Sequence, residues 1–390
     1  MYNYIPLEQA ADILDLYRKP VNSKERLNLI KGKPLDELFP YYGATGQVGW
    51  IDSFLTDGEY ILLGEDGAPF LNPYAEKAYI IHGKTWVNNH AHILRSKTNN
   101  EFLCYYLNYF NYKKYVSGTT RLKLTQAQMR KIPIPNIPSD EQSRIVARIE
   151  ELFSKLDKAV DTLKTTKEQL EVYRQAVLKD AFQEKENIIR LGDAIEKPRY
   201  GTSKKCDYPC TANSTAVLRI PNIDTKNGRV DSSDLKYAEF NEKELEQLSL
   251  KTGDILIIRS NGSISLVGSS AIIRKCDTDK TYAGYLMRLR ILNKEKLLPQ
   301  YLLYYLSSPD ARRYIESVAK STSGVNNINS QEISKLCVPL SSIEKQEKTV
   351  AEIEMKLSVY HEIEKSVDTV LVQADAMRQS ILKQAFEGAL

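Results

Sequence analysis

Along residues 140–182, apolar side chains recur at alternating intervals of four and three: Ile145, Ile149, Leu152, Leu156, Ala159, Leu163, Thr166, Leu170, Tyr173 and Val177. This is a heptad seam, imperfect only at Thr166, and it predicts one long helix. Pro133, Pro135 and Pro138 precede the helix and cannot lie inside it. Ser139 with Gln142 offers a capping box. At ~1.5 Å per residue the helix would be roughly 60 Å long. A second helix is predicted from about Ser342 to Phe386, with the seam Thr349, Ile353, Lys356, Tyr360, Ile363, Val367, Val370, Ala374, Met377 and Ile381. Lys356 interrupts it, while Leu357 and Leu371 widen its apolar face. An amphipathic helix of this length cannot bury its stripe alone. Both helices follow a globular stretch with the same polarity, which favours an antiparallel pair. The alternative is that each packs on its own globule.

Before each helix the pattern changes. Short β-type runs, Tyr60-Ile-Leu-Leu63 and Tyr79-Ile-Ile81, occupy the first globule, and Ile255-Leu-Ile-Ile258 and Ala271-Ile-Ile273 the second. Helical stretches are expected near 101–112 and 299–306. The fold class is therefore α+β: two globules of strands and short helices, separated by two long antiparallel coiled-coil helices.

The chain also repeats itself. Tyr105-Tyr106-Leu107 recurs as Tyr304-Tyr305-Leu306, and Lys131-Ile-Pro-Ile-Pro135 as Lys335-Leu-Cys-Val-Pro339. Gln142, Val146, Ala147 and Ile149 recur as Gln346, Val350, Ala351 and Ile353. Val177-Leu-Lys-Asp-Ala-Phe182 recurs as Ile381-Leu-Lys-Gln-Ala-Phe386. Upstream, Gly58-Glu-Tyr-Ile-Leu-Leu63 aligns with Gly253-Asp-Ile-Leu-Ile-Ile258, and Gly67 with Gly262. The spacing drifts between blocks, as expected when loops change length while elements persist. A duplicated plan of this kind can adopt pseudo-twofold symmetry. The expected boundaries are 1–139 and 188–340 for the globules, 140–187 and 341–390 for the helices.

Charge follows the same division. Over 390 residues the net charge is only +4. Residues 1–139 carry 16 Lys/Arg against 13 Asp/Glu, and 188–340 carry 23 against 17, giving +3 and +6. Residues 140–187 and 341–390 carry −2 and −3. Basic globules can face a polyanion. With 42% apolar and 27% charged residues the composition is that of an ordinary globular chain. No apolar run approaches the roughly 18 residues of a membrane span, and the start lacks a signal-peptide pattern. Five scattered cysteines (Cys104, Cys206, Cys210, Cys276, Cys337) suit a reducing cytoplasm better than a disulfide framework.

Catalytic motifs fail one by one. Ala78-Tyr-Ile-Ile-His-Gly-Lys-Thr85 fits a phosphate-loop pattern only loosely, because its middle is a strand-like run; a hairpin turn at His82-Gly83 explains it better. Cys206 and Cys210 have no second pair at metal spacing. There is no dinucleotide fingerprint, nucleophile elbow or His-Glu-x-x-His, and no Pro-Pro-aromatic methyltransferase motif. No catalytic or metal residue is assigned. Polar, glycine-rich turns stand out instead. Tyr42, Thr45 and Gln47 lie on one; Asn88, Asn89 and His90 form another; Arg121 and Lys123 sit before the Pro-rich strand. In the second half the candidates are Lys204, Arg259, Ser260, Asn261 and Ser263, then Thr322, Asn326 and Asn327 in the counterpart of 117–123. Hydroxyls, amides and guanidinium groups are those that hold phosphates and read base edges.

Globule, Pro-rich strand and heptad helix, repeated once, resembles the specificity subunits of Type I restriction-modification systems. The most specific pieces are Lys131-Ile-Pro-Ile-Pro135 leading to Glu141-Gln142, and the helix ends Leu178-Lys-Asp-Ala-Phe182 and Leu382-Lys-Gln-Ala-Phe386. Arg259-Ser-Asn-Gly262 after Gly253-Asp254 also looks like a target-recognition domain. The first globule departs there, with an acidic Gly64-Glu-Asp-Gly67. The resemblance implies two target-recognition domains reading a bipartite double-stranded DNA target in the cytoplasm. It implies helices that set the spacer and dock two methyltransferase subunits and restriction subunits. Ile149, Leu156, Leu163, Leu170, Phe182, Ile353, Ile363, Val367 and Phe386 are the docking or coiled-coil candidates. No cofactor is expected in this chain; S-adenosylmethionine, ATP and Mg would belong to the partner subunits. Two other classes remain open: an enzyme in its own right, which methylation by the purified chain would reveal, and a scaffold indifferent to DNA.

Overall fold

The computed structural model describes residues 3–184, 187–208, 213–322 and 324–388. The chain divides into two compact units, Met1–Thr165 with Val367–Leu390, and Thr166–Ser366. Each unit thus holds one globule and a part of both long helices, Ser139–Ala181 and Ile343–Phe386.

In the first unit Tyr60–Gly64 is buried at every position, as its unbroken apolar run requires of a central strand. It lies in a four-stranded antiparallel sheet ordered Ala11–Ile13, Ala91–Ser96, Tyr60–Gly64, Ala78–Ile81. A three-stranded sheet places Phe39–Gly43 between Gly46–Ile51 and Trp86–Val87, the last pairing parallel. Tyr4–Pro6 pairs antiparallel with Pro133–Pro135. Gly83 does take a left-handed turn, φ 69°. The strands on either side of it belong to different sheets, however, so His82-Gly83 is not a hairpin tip.

The second unit uses the same plan. Ile255–Ile258 is the fully buried central strand, in a sheet ordered Arg199–Tyr200, Leu286–Leu289, Ile255–Ile258, Ser270–Ile272. Ser214–Leu218 lies between Lys236–Glu239 and a parallel Thr281–Tyr282. Ile188–Arg190 pairs antiparallel with Cys337–Pro339. The expected helices are Asn100–Tyr109 and Pro299–Leu306. A further helix, Pro309–Val318, escaped the sequence reading, although its Ser308 cap and Pro309 start are clear signals.

The repeated residues do the same work in both units. Tyr106 donates its hydroxyl to the Pro133 carbonyl at 2.7 Å, and Tyr305 donates to Cys337 at 2.7 Å. Gln142 and Gln346 are buried at the helix starts. Gln142 Nε2 donates to the Ile137 carbonyl at 2.8 Å, and its Oε1 accepts from Thr98 at 2.9 Å. Gln346 Nε2 donates to Lys296 and Ser341, and its Oε1 accepts from the Leu298 N–H at 2.9 Å. Gln142 therefore ties the helix to the globule and does not form the expected capping box with Ser139, because Ser139 is already helical.

The helices run antiparallel within each unit. In the first, Ile145 and Ile149 share a core with Leu382, Ala385 and Phe386, and Asp157, further along, pairs with Arg378. In the second, Leu178 and Phe182 share a core with Ile353 and Leu357, and Glu171, one step back, accepts from the Tyr360 hydroxyl at 2.7 Å. The recurring helix end is an aromatic anchor. Phe386 meets the rings of Phe102, Tyr106 and Tyr109 at 5.2–5.5 Å, and Phe182 meets Tyr301 and Tyr305 at 5.1 and 5.2 Å. Each helix end thus packs on the globule that did not precede it, a pairing of helix and globule that neither arrangement weighed from the sequence contained.

The seam of the second helix differs from the sequence reading at every second step. Ile353, Leu357, Tyr360, Glu364, Val367, Leu371, Ala374 and Arg378 face inward. Lys356, Ile363, Val370 and Met377 lie one residue off and are exposed, Ile363 at 42%. Two polar side chains hold the misread positions. Glu364 accepts from Lys226 at 2.8 Å and from Tyr360 at 3.3 Å; Arg378 lays its guanidinium over Phe153, 5.1 Å from the ring centre. Ile149, Leu156, Leu170, Phe182, Ile353, Val367 and Phe386 are buried, and Leu163 is half-buried.

Candidate nucleic-acid interface

In both units the chain leaving the central strand meets a later polar segment as a short ladder. In the first unit Asp66 bridges to Lys123, and Ser117 also bridges to Lys123. The ladder is tied by Gly67 N–H to Leu122 O at 3.0 Å and Leu124 N–H to Glu65 O at 2.7 Å. Two glycines make this geometry possible. Gly67 has φ 73°, and a Cβ at Gly118 would lie 2.5 Å from the Arg121 carbonyl oxygen. In the second unit Ser260–Asn261 pairs with Val325–Asn327, which pairs with Lys320–Thr322.

The first ladder is charged. Glu65 binds Arg18 and, through Oε1, Lys123 Nζ at 3.1 Å. Asp66 Oδ1 binds Arg121 at 3.0 Å and His90 Nδ1 at 2.6 Å. Behind them His92 is fully buried between Asp15 Oδ2, 2.8 Å from Nδ1, and the Leu124 carbonyl, 3.0 Å from Nε2. Burial pushes the Asp15 carboxyl up, but hydrogen bonds and charge from His92, with Gln126 and the Ile93 N–H, outweigh it and leave the group below its ordinary 3.8. Burial likewise opposes ionisation of Glu65, and contacts with Arg18 and Lys123 reverse it, so that carboxyl too is lowered.

The other first-unit candidates divide. Thr45 is exposed at the hairpin tip, and Gln47 donates to the Gly49 carbonyl at 3.1 Å. Tyr42 is half-buried against Tyr79, ring centres 5.9 Å apart. Asn88 is withdrawn: it is buried, and its Oδ1 accepts from the His90 N–H at 2.8 Å, shaping the turn. Asn89 stays exposed. Beside it a cavity of about 510 Å³ is lined in part by Asn22, Arg26, Tyr41, Asn89 and His90.

The second ladder has no carboxylate in its strands; its charged residues are Lys320, and Arg259 just before Ser260. Arg259 stacks on Tyr200, 4.4 Å from the ring centre, and donates through a terminal nitrogen to the Gly284 carbonyl at 3.1 Å. Its Nε is buried without a hydrogen-bond partner, as is Asn327 Oδ1. Asn261 Oδ1 accepts from the Ser263 N–H at 2.8 Å, Ser263 shares a hydroxyl contact with Ser265 at 2.8 Å, and Asn326 donates to Gly262 O at 2.9 Å. Ser260 is buried in the ladder. Thr322 pairs with Val325 through its backbone, and its side chain lies outside the described residues, as do Ser323 and Cys210. Lys204 is not at the ladder. It donates to Glu244 at 2.7 Å and to the Glu239 carbonyl at 2.9 Å, beside the start of Glu242–Leu248. The sequence reading missed Arg18, which a 3-10 turn carries to the ladder, and the exposed rings of Tyr200 and Tyr285.

A larger cavity, about 820 Å³, lies among Lys226–Arg229, Gln300–Ser307 and Glu354–Lys365; none of the DNA candidates lines it. Among the described residues no group of three His, Cys, Asp or Glu side chains could hold a metal, and no helix is long and apolar enough to cross a membrane.

Comparison with known proteins gives this arrangement a class. Residues 11–172 match the family described as Type I restriction modification DNA specificity domain. Over most of its length the chain is similar in sequence to Type I specificity subunits. It is 28% identical over 289 residues to the Type I restriction enzyme EcoKI specificity subunit of Escherichia coli K12, covering 70% of this chain and 61% of that one. It is 29% identical over 315 residues to a putative Type I restriction enzyme specificity subunit of Haemophilus influenzae, covering 77% and 74%. The chain therefore spans under two thirds of the first relative's length. Its fold resembles a chain from a solved type I R-M system (TM-score 0.71, 16% identity, 100% and 98% covered). It also resembles the HsdS subunit of Thermoanaerobacter tengcongensis (TM-score 0.54, 16% identity, 100% and 97% covered).

Proposed function

We propose that this chain is the DNA-recognition subunit of a Type I restriction-modification complex, non-catalytic by itself and acting in the cytoplasm. The observation that carries the proposal is the polar ladder at the same place in two units of the same plan. Each ladder gathers groups suited to base edges and phosphates, from segments far apart in sequence. In this reading residues 1–139 and 188–340 are target-recognition domains related by a pseudo-twofold repeat, each reading one half of a bipartite double-stranded target. Residues 140–187 and 341–390 set the spacer between the halves and dock two methyltransferase subunits and restriction subunits. Those partners bring S-adenosylmethionine, ATP and Mg. Thr45, Gln47, Asn89, His90, Arg121 and Lys123 serve the first half-site; Arg259, Asn261, Ser263, Asn326 and Asn327 serve the second. Linked binding of two modest readers raises total affinity without any single extensive interface.

The test is a methylation map. The chain is co-expressed with the neighbouring methyltransferase gene product and host DNA is sequenced for modified adenine. A split motif with a fixed gap, lost when the chain is omitted, is the expected result. A fully assembled complex that methylates nothing, or methylates without a split motif, would overturn it.

A further inference from the structure

We infer that Glu65 and Asp66 are specificity determinants of the first unit, restraining cations that would otherwise be drawn to DNA phosphate on any sequence; the inference rests on the DNA-reading function proposed above. Two carboxylates hold four side chains: Arg18 and Lys123 on Glu65, Arg121 and His90 on Asp66. At the matching ladder positions the second unit has Ser260 and Asn261, and among the described residues its Arg259 side chain is met by a ring and a carbonyl.

Sequence-independent binding comes from cations that displace counterions at phosphates. A cation already within about 3 Å of a carboxylate must exchange one anion for another, and gains little by doing so. Arg121 and Lys123 are 61% and 50% exposed, so the exchange is sterically open, whereas Glu65 and Asp66 are 13% and 22% exposed and fixed in the ladder. The carboxylates also repel phosphate directly, which lowers the attraction that every duplex offers irrespective of sequence. The first unit then binds firmly only where base contacts compensate. Among the described residues the second unit's ladder has no such carboxylate, and that unit supplies more of the backbone attraction.

The experiment uses the full-length chain assembled with its methyltransferase subunits. Binding to cognate and scrambled duplexes is followed from about 50 to 200 mM salt. Asp66→Asn should tighten binding to the scrambled duplex roughly threefold at low salt and steepen the log–log salt slope by about one. Adding Glu65→Gln should steepen it by about two. Cognate affinity should rise less, so discrimination narrows. Asn261→Asp, which leaves the first unit untouched, should do the reverse, weakening scrambled binding and flattening the slope. Scrambled affinity and slope unchanged in Asp66→Asn and Asn261→Asp would overturn the inference, as would tighter binding in Asn261→Asp. A wild-type complex indifferent to both sequence and salt would instead defeat the DNA-reading function itself.

Discussion

The two ladders have the same backbone and opposite chemistry. The first carries Glu65, Asp66, Lys123 and Arg121, with Arg18 ion-paired to Glu65 and His90 held by Asp66. The second carries Ser260, Asn261, Asn326 and Asn327, with one arginine stacked on a tyrosine and polar atoms left without partners. The surrounding elements are the same in kind, down to a tyrosine hydroxyl donating to a carbonyl of the edge strand at 2.7 Å in each unit. The difference teaches that the frame and the ladder surface are separable: residues buried in the frame repeat, while the ladder residues differ in charge without disturbing the sheet that carries them.

The largest test of the shared frame is at the helix ends. Phe386→Ala and Phe182→Ala should each lower stability by about 3–5 kcal/mol, measured by denaturant unfolding with a probe in each unit. Loss in one unit alone would break the equivalence. Next come the buried glutamines. Gln346→Ala should cost about 2–3 kcal/mol, having three hydrogen bonds to lose, and Gln142→Ala somewhat less, having two.

The reading surfaces should separate. Arg259→Ala should relax discrimination at the second half of the target by about 1–3 kcal/mol and leave the first half unchanged, read from methylated motifs. The smallest effect is confined to the first unit. Because the Asp15 carboxyl is held below 3.8, its contribution is present above about pH 4 and lost as pH falls through the lowered value. Asp15→Asn should remove about 1 kcal/mol at neutral pH and flatten the acid unfolding curve of the first unit only; an unchanged curve would remove His92 and Asp15 from the account.

Much of the frame was legible in the sequence because it is periodic or repeated. The central strands, the matched Gln142 and Gln346, and most of the first helix seam follow from local pattern; Ala159 and Tyr173, read as seam positions, are exposed. The second seam did not, because Ile363, Val370 and Met377 look like seam residues while Glu364 and Arg378 do not. Only tertiary partners, Lys226, Tyr360 and Phe153, make the polar pair acceptable inside. The same limit governs the ladders. Segments 64–67 and 117–123 could be named, but not that Asp66 would hold Arg121 and His90, nor that Arg18 would arrive from another turn. Asn88 and Lys204 show the converse: surface-type residues engaged by their own neighbours, Asn88 through its Oδ1 and Lys204 through its Nζ.

The most direct test of two independent readers is an exchange. Residues 1–139 are replaced by the first globule of a Type I specificity subunit, and the methylated motif is mapped. The account predicts that one half of the split target changes while the other half and the gap persist. A change in both halves would contradict it.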